Sequence, residues 1–181
     1  MMTKLSRDFY NRDVLQVGPD LIGSILVHKS LDGIESRHIV TELELYRGVE
    51  DLACHASKGK TPRTSVMFQE GGLVYVYLVY GMHWLLNIVT GEVGNPQAIL
   101  IRSLHDCSGP GRLTKMLGIG GDYYGEDLTC SSRLWFERGK RLPFEEGPRI
   151  GVDYAGDYWK SIPWRYFVTN CDALTFPRKN S

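Results

Sequence analysis

Residues 73–87 limit the possible folds more than any other part of the chain. Leu73-Val-Tyr-Val-Tyr-Leu-Val-Tyr80 is a run of β-branched and aromatic residues, and Trp84-Leu-Leu-Asn87 follows after Gly81-Met82-His83. Such runs, broken at a glycine, read as two strands joined by a tight turn. A connection this short joins only antiparallel strands. The tip, Tyr80-Gly81-Met82-His83-Trp84, carries large side chains that ordinarily seek burial. Either it packs beneath another element, or it is a wedge that enters something built of stacked flat rings.

Strand alternation puts Tyr75, Tyr77 and Val79 on one face and Val74, Val76, Leu78 and Tyr80 on the other. A two-residue turn at Gly81-Met82 would set Tyr77 and Asn87 on opposite faces. A three-residue turn, Gly81-Met82-His83, pairs Tyr77 with Asn87 and Tyr80 with Trp84, and leaves Met82 and His83 projecting. The second is preferred, because it places one polar group beside a ring in a pocket.

The rest of the chain supplies a sheet for that hairpin. Residues 13–22 suggest a helix, interrupted or bent at Gly18-Pro19. Residues 24–29 and 34–47 read as strands around an Asp32-Gly33 turn. Residues 49–68 read as a loop with short helical pieces, and residues 98–104, 134–137, 149–152 and 165–169 as further strands. Ser108-Gly109-Pro110 reads as a helix start with Ser108 as N-cap. The expected fold is α+β: one domain, 1–181, with a curved, mostly antiparallel sheet flanked by helices and a protruding β-hairpin.

The totals exclude classes of function. No apolar run is long enough to span a bilayer and no segment reads as a signal peptide, so a cytoplasmic protein without membrane contact is expected. The four cysteines, Cys54, Cys107, Cys130 and Cys171, form no Cys-x-x-Cys pair and read as reduced thiols rather than zinc ligands. A net charge of zero argues against indiscriminate nucleic-acid binding. Local basic clusters remain: Lys58, Lys60 and Arg63; Arg112 and Lys115; and, from Tyr158 onward, Lys160, Arg165, Arg178 and Lys179 against Asp172 alone. Each taken singly reads as solvated surface.

Residues 38–46 alternate. Ile39, Thr41, Leu43 and Leu45 form an apolar face; His38, Val40, Glu42, Glu44 and Tyr46 form the other. Glu42 and Glu44, about 7 Å apart by strand rise, could act as an acid/base pair. A solvated face with both carboxylates paired to arginines is the simpler reading of this strand alone.

Taken together, the segments resemble the alkyladenine (3-methyladenine) DNA glycosylase family in its short, bacterial form. The matching pieces run in order from about Leu5 to Val168. They include Thr41-Glu-Leu-Glu-Leu-Tyr-Arg-Gly-Val-Glu-Asp51, Cys54-His55-Ala56, Lys60-Thr-Pro-Arg63, Met67-Phe68, Tyr75-Val-Tyr-Leu-Val-Tyr-Gly-Met82, Asn87, Ala98-Ile-Leu-Ile-Arg102, Ser108-Gly-Pro110, Leu134-Trp-Phe-Glu137 and Pro148-Arg-Ile-Gly-Val-Asp-Tyr-Ala-Gly156. The resemblance implies a monomeric base-excision repair enzyme without cofactor or metal. It would act on double-stranded DNA, flip out an alkylated or deaminated purine and hydrolyse its N-glycosidic bond, leaving an abasic site. By motif position, Glu44 is the general base and Arg102 helps to place it and the attacking water. Tyr46, His55, Tyr77 and Asn87 line the base pocket, and Asn87 rejects the guanine amino group. Tyr80, Met82 and His83 enter the duplex. Ser108 and Gly109, with Arg112 and Lys115, read either as an ordinary helix start or as phosphate contacts. Glu42 is assigned a structural role. Leu45, Ala56, Thr64 and the His83-Trp84 tip depart from the family pattern and bear on substrate range.

Two rivals compete. The family core resembles the C-terminal, tRNA-binding domain of methionyl-tRNA formyltransferase, so a non-catalytic nucleic-acid-binding module is one. A carbohydrate hydrolase built on Glu42 and Glu44 is the other. Retention of Glu44 among the pocket residues disfavours the first, and the projecting tip the second.

Overall fold

In the computed structural model, which describes residues 3–170 and Leu174, the β-branched and aromatic runs form strands that pair antiparallel throughout. Cys171, Asp172, Arg178 and Lys179 lie outside the described residues. The strands are β1 (Ile25–Lys29), β2 (Glu35–Arg47), β3 (Val74–Val79), β4 (His83–Thr90), β5 (Gln97–Leu104), β6 (Cys107–Ser108), β7 (Leu134–Glu137), β8 (Glu145–Gly147) and β9 (Arg165–Phe167). Among the described residues they make one sheet in the order β3-β4-β5-β2-β1-β7, with β6 on β5, β9 on β2 and β8 on β9. The helices are α1 (Arg7–Tyr10), α2 (Val14–Leu21), α3 (Pro110–Leu117) and α4 (Gly156–Ser161). This is the α+β arrangement the sequence suggests. Among the described residues no helix is long and apolar enough to cross a membrane.

The side-chain period of two gives the β3-β4-β5-β2 region two different faces. Val74, Val76, Leu86, Ile88, Ile99, Ile101, Leu43 and Leu45 enter the main core with residues of α2 and α3. Tyr75, Val89 and Ala98 point the other way, into a smaller cluster closed by Cys54, Ala56, Val66 and Met67 from the 49–68 loop. That loop contains two short 3-10 turns, His55–Lys58 and Ser65–Phe68. Helices therefore cover one face, and the loop is left to roof the other.

β2 does not alternate over its whole length. Its pairing with β5 is irregular around Glu42, and Val40 shares the main core with Leu43 and Leu45. The face predicted for residues 38–46 therefore holds only beyond the irregularity, where Glu44 and Tyr46 oppose Leu43 and Leu45. α2 runs through Pro19 rather than breaking there. The proline removes one backbone donor, while the helix buries Val14, Val17, Gly18 and Leu21, with Gly18 pressed on Leu45 of β2. Packing decides the outcome.

The hairpin turn has three residues, but they are Tyr80-Gly81-Met82 and not Gly81-Met82-His83. Val79 pairs with His83, Leu78 with Trp84, Tyr77 with Leu85 and Tyr75 with Asn87. Tyr80 and Gly81 take positive φ of 52° and 70°, and the Met82 N–H donates to the Val79 carbonyl at 3.1 Å. This is the φ pattern of a type I′ turn, which matches strand twist and favours glycine. Trp84 holds the register from outside by packing on Gly120 and Gly121. It therefore lies on the core side rather than at a pocket mouth. Opposed residues share a face, so the shifted pairing still puts Tyr75, Tyr77, Leu85 and Asn87 together.

Two local expectations fail for related reasons. The N-cap of α3 is Gly109, with φ 103°, and Ser108 belongs to β6 opposite Ser103. The Gly109 N–H is taken by the Arg102 carbonyl, which ties the helix start to β5. Residues 149–152 form no strand; there, backbone and side-chain donors serve Glu44 and Asp51 instead.

Candidate active site

On the loop-covered face, a narrow cleft lies between Tyr46, Cys54, His55, Met67, Tyr75, Tyr77, Asn87 and Tyr154. Three of the four predicted pocket residues come from the sheet, each set inward by alternation: Tyr46 from β2, Tyr77 from β3 and Asn87 from β4. The fourth, His55, comes from the loop. Its Nδ1 lies 2.8 Å from the Tyr75 hydroxyl, and its ring meets Tyr77 edge-on with centroids 4.6 Å apart. Asn87 is buried on the cleft wall, its amide held by the Leu85 carbonyl at 3.4 Å.

Desolvation keeps the walls uncharged near neutrality. Burial, with Arg63 and Lys58 adding repulsion, lowers His55 to about 4. Burial raises Tyr75 to about 12 and Cys54 to about 12. It also raises Tyr46, with the nearby Glu44 charge second, and Tyr77 and Tyr154. A slot walled by neutral rings suits a flat aromatic ligand, and more so a cationic one.

Behind Tyr46 sits Glu44, wholly covered at 0 % exposure. One carboxylate oxygen accepts from the Tyr46 hydroxyl at 2.8 Å. The other accepts from the Ile150 N–H at 2.7 Å and faces Arg102 Nη1 at 3.2 Å. A buried charge is tolerable only with such partners. At 0 % exposure the carboxylate has no contact with bulk solvent. Arg102 also contacts Glu42 at 3.2 Å, and Glu42 is further held by Arg165 at 3.0 Å and Ser103 at 2.8 Å. Glu42 thus fixes the arginine that touches Glu44, as a structural residue would.

The tip residues separate. Tyr80 and Met82 are exposed at 89 % and 69 %. His83 opens β4 and, though exposed, lies against Gly111 of α3, so it does not project as expected. Ser108, Arg112 and Lys115 are exposed beside β4 and β5, away from the cleft walls. Leu45, Ala56 and Thr64 are packed in the interior, and none of the three lines the cleft.

The sequence reading missed several contributors. Tyr154 stands at the cleft's mouth, its hydroxyl donating to the Ala53 carbonyl at 2.9 Å. The Ile150 donor is a backbone group and carries no residue signature. Arg149 and Asp51 form an ion pair with both side chains at 0 % exposure. Arg149 falls in the motif at residues 148–156 and Asp51 ends the one that begins at Thr41, but nothing in either tells a buried pair from a surface one.

The chain matches the methylpurine-DNA glycosylase family over residues 8–108 and 104–172. A protein of Desulfitobacterium hafniense is 40% identical over 197 positions, spanning 92% of this chain and 96% of the relative. One from Myxococcus xanthus is 41% identical, spanning 92% and 91%, and one from Methanocella arvoryzae 41% identical, spanning 96% of each. All three carry the name "Putative 3-methyladenine DNA glycosylase".

Proposed function

The chain belongs to the methylpurine-DNA glycosylase family, and from that premise we propose that it releases alkylated purines from duplex DNA by hydrolysing the N-glycosidic bond. The observation that carries this reading is the fully buried, triply partnered Glu44 directly behind an uncharged aromatic cleft. A binding module has no use for a carboxylate kept there against its desolvation cost. A hydrolase needs one beside the sugar, to take a proton from water and to face the positive charge that develops on the ring.

The base enters between Tyr77 and the His55 and Tyr46 side, taking the place of the Tyr77–His55 edge contact. Each aromatic face contributes about 1–3 kcal/mol to holding a base. Asn87 excludes a guanine amino group by standing on the wall. Arg102 orients Glu44 and the attacking water. Tyr80 and Met82 fill the gap left in the duplex, with His83 as a support between the tip and α3. Tyr80 is the one described non-glycine residue with positive φ, and strain of that kind concentrates at functional tips. Arg63 stacks over Tyr77 of β3 at 5.0 Å, while Arg112, Lys115 and the exposed Ser108 lie at α3, which packs on β4. Cations thus flank the hairpin on both sides, where phosphates of a penetrated duplex would pass.

No cleft-lining side chain changes its protonation near neutrality, so protonation of a neutral leaving base has no obvious donor. The reading that fits is a base already cationic, such as 3-methyladenine or 7-methylguanine. The test is base release from methylated duplex DNA under single-turnover conditions. Wild-type protein is expected to release 3-methyladenine faster than hypoxanthine, and Glu44→Gln to slow the reaction by at least about a hundredfold, roughly 2.7 kcal/mol of barrier. Release unaffected by Glu44→Gln would overturn the mechanism; no release of any modified purine would favour the binding module.

A further inference from the structure

Arg149 makes four hydrogen bonds to three separate segments. Its Nη1 donates to the Leu45 carbonyl at 2.9 Å and to Asp51 at 2.6 Å; its Nη2 donates to Asp51 at 2.9 Å and to the Trp159 carbonyl at 3.2 Å. Asp51 in turn accepts from the Arg47 N–H at 3.1 Å and the Ala53 N–H at 3.0 Å. The pair therefore joins the end of β2, the start of the roofing loop and the end of α4. Neither side chain touches the cleft.

Its position relative to Glu44 is what matters. The guanidinium carbon lies 4.9 Å from the Tyr46 ring centre, and Tyr46 supplies the bond to one Glu44 oxygen. The residue after Arg149 is Ile150, whose N–H supplies the bond to the other oxygen. One buried cation thus holds both the ring and the backbone that grip the carboxylate. Burying an ion pair contributes little net stability, and an apolar replacement is often no worse. Retaining one here makes sense for geometry rather than for stability.

We propose that Arg149 and Asp51 are positioning residues for catalysis, which set the Tyr46 hydroxyl and the Ile150 N–H on Glu44 and so fix the direction in which the base faces the sugar. The proposal rests on the glycosylase reading above. Asp51→Asn, which keeps the side-chain shape and one acceptor, and Arg149→Lys, which keeps the charge but not the fork, separate rate from binding. Single-turnover release of 7-methylguanine is compared with the affinity for a duplex carrying a stable abasic-site analogue.

Both variants are expected to lose at least about thirtyfold in rate, or about 2 kcal/mol at 1.36 kcal/mol per decade, while affinity stays within about threefold, or 0.65 kcal/mol on the same scale. An active wild type with both variants inside threefold of its rate overturns the positioning role alone. Rate and affinity falling together in proportion, or two variants that do not fold, also overturn it by assigning the pair to the fold. A wild type that releases no modified purine sinks the glycosylase reading itself, and the positioning role with it.

Discussion

At the scale of single residues, burial sets the behaviour of His55 more than its charged neighbours do. Its imidazole is held down from 6.5 to about 4, with desolvation first and the charges of Arg63 and Lys58 after it. Above pH 6.5 the ring is neutral in both the folded and the unfolded chain, and stability is indifferent to it. Between 6.5 and about 4 the unfolded chain binds a proton that the folded chain refuses, so stability falls as the pH drops through that window and levels off below it. Thermal unfolding followed from pH 7 to pH 4 checks this: His55→Asn is expected to flatten the fall relative to wild type. Parallel curves would mean that His55 titrates alike in the folded and the unfolded chain. Alternation along a strand told which face Glu44, Tyr46, Tyr77 and Asn87 share with their neighbours, but their assignment to a site came from the family resemblance, since alternation alone favoured a solvated face for Glu44. The Ile150 donor was not, since every residue but proline offers the same N–H.

At the scale of elements, the hairpin shows how register and facing can come apart. The turn moved by one residue from its expected place, yet Tyr77 and Asn87 kept a common face, because both pairings have an odd number of turn residues. What the sequence could not show is where the two positive φ values fall. They lie at Tyr80 and Gly81, and Trp84 anchors the following strand on Gly120 and Gly121. A tyrosine in that conformation is costly, and its side chain, 89 % exposed, returns little packing. Tyr80→Gly is therefore expected to be more stable than Tyr80→Ala by about 1 kcal/mol in chemical unfolding, since only glycine relaxes the backbone. Both are expected to excise more slowly than wild type, because both lack the wedge. If either variant excised as fast as wild type, the tip would have no part in opening the duplex. The start of α3 and residues 149–152 were misread for a common reason: hydrogen bonds to groups outside the local segment, to the Arg102 carbonyl in one case and to Glu44 and Asp51 in the other, claimed donors that local pattern assigns elsewhere.

At the scale of the whole molecule, a net charge of zero hides an uneven division of labour. Many arginines are spent internally. Arg133 is bound to Asp122 and Glu126, each at 2.7 Å, Arg12 and Arg141 to Asp20, and Arg149 to Asp51. Lys58, Lys60, Arg63, Arg112 and Lys115 are exposed, and none has a carboxylate partner among the described residues. Composition alone could not reveal this split, because it counts a paired and an unpaired arginine alike. Arg63 stacks over Tyr77 of the hairpin, with Lys58 and Lys60 close to it in sequence, and Arg112 and Lys115 lie on α3, which packs on β4, so DNA affinity should depend on these five and not on total charge. If each meets one phosphate, the slope of log affinity against log salt approaches about −4.5, at 0.9 per phosphate. Arg112→Ala or Lys115→Ala should flatten that slope by about 0.9 each. Arg133→Ala should leave it unchanged, because its charge is already neutralised on the protein. Fluorescence anisotropy of a lesion-free duplex across a salt series measures all four slopes, and an equal change for Arg133→Ala would show that overall charge, rather than these unpaired groups, governs the encounter with DNA.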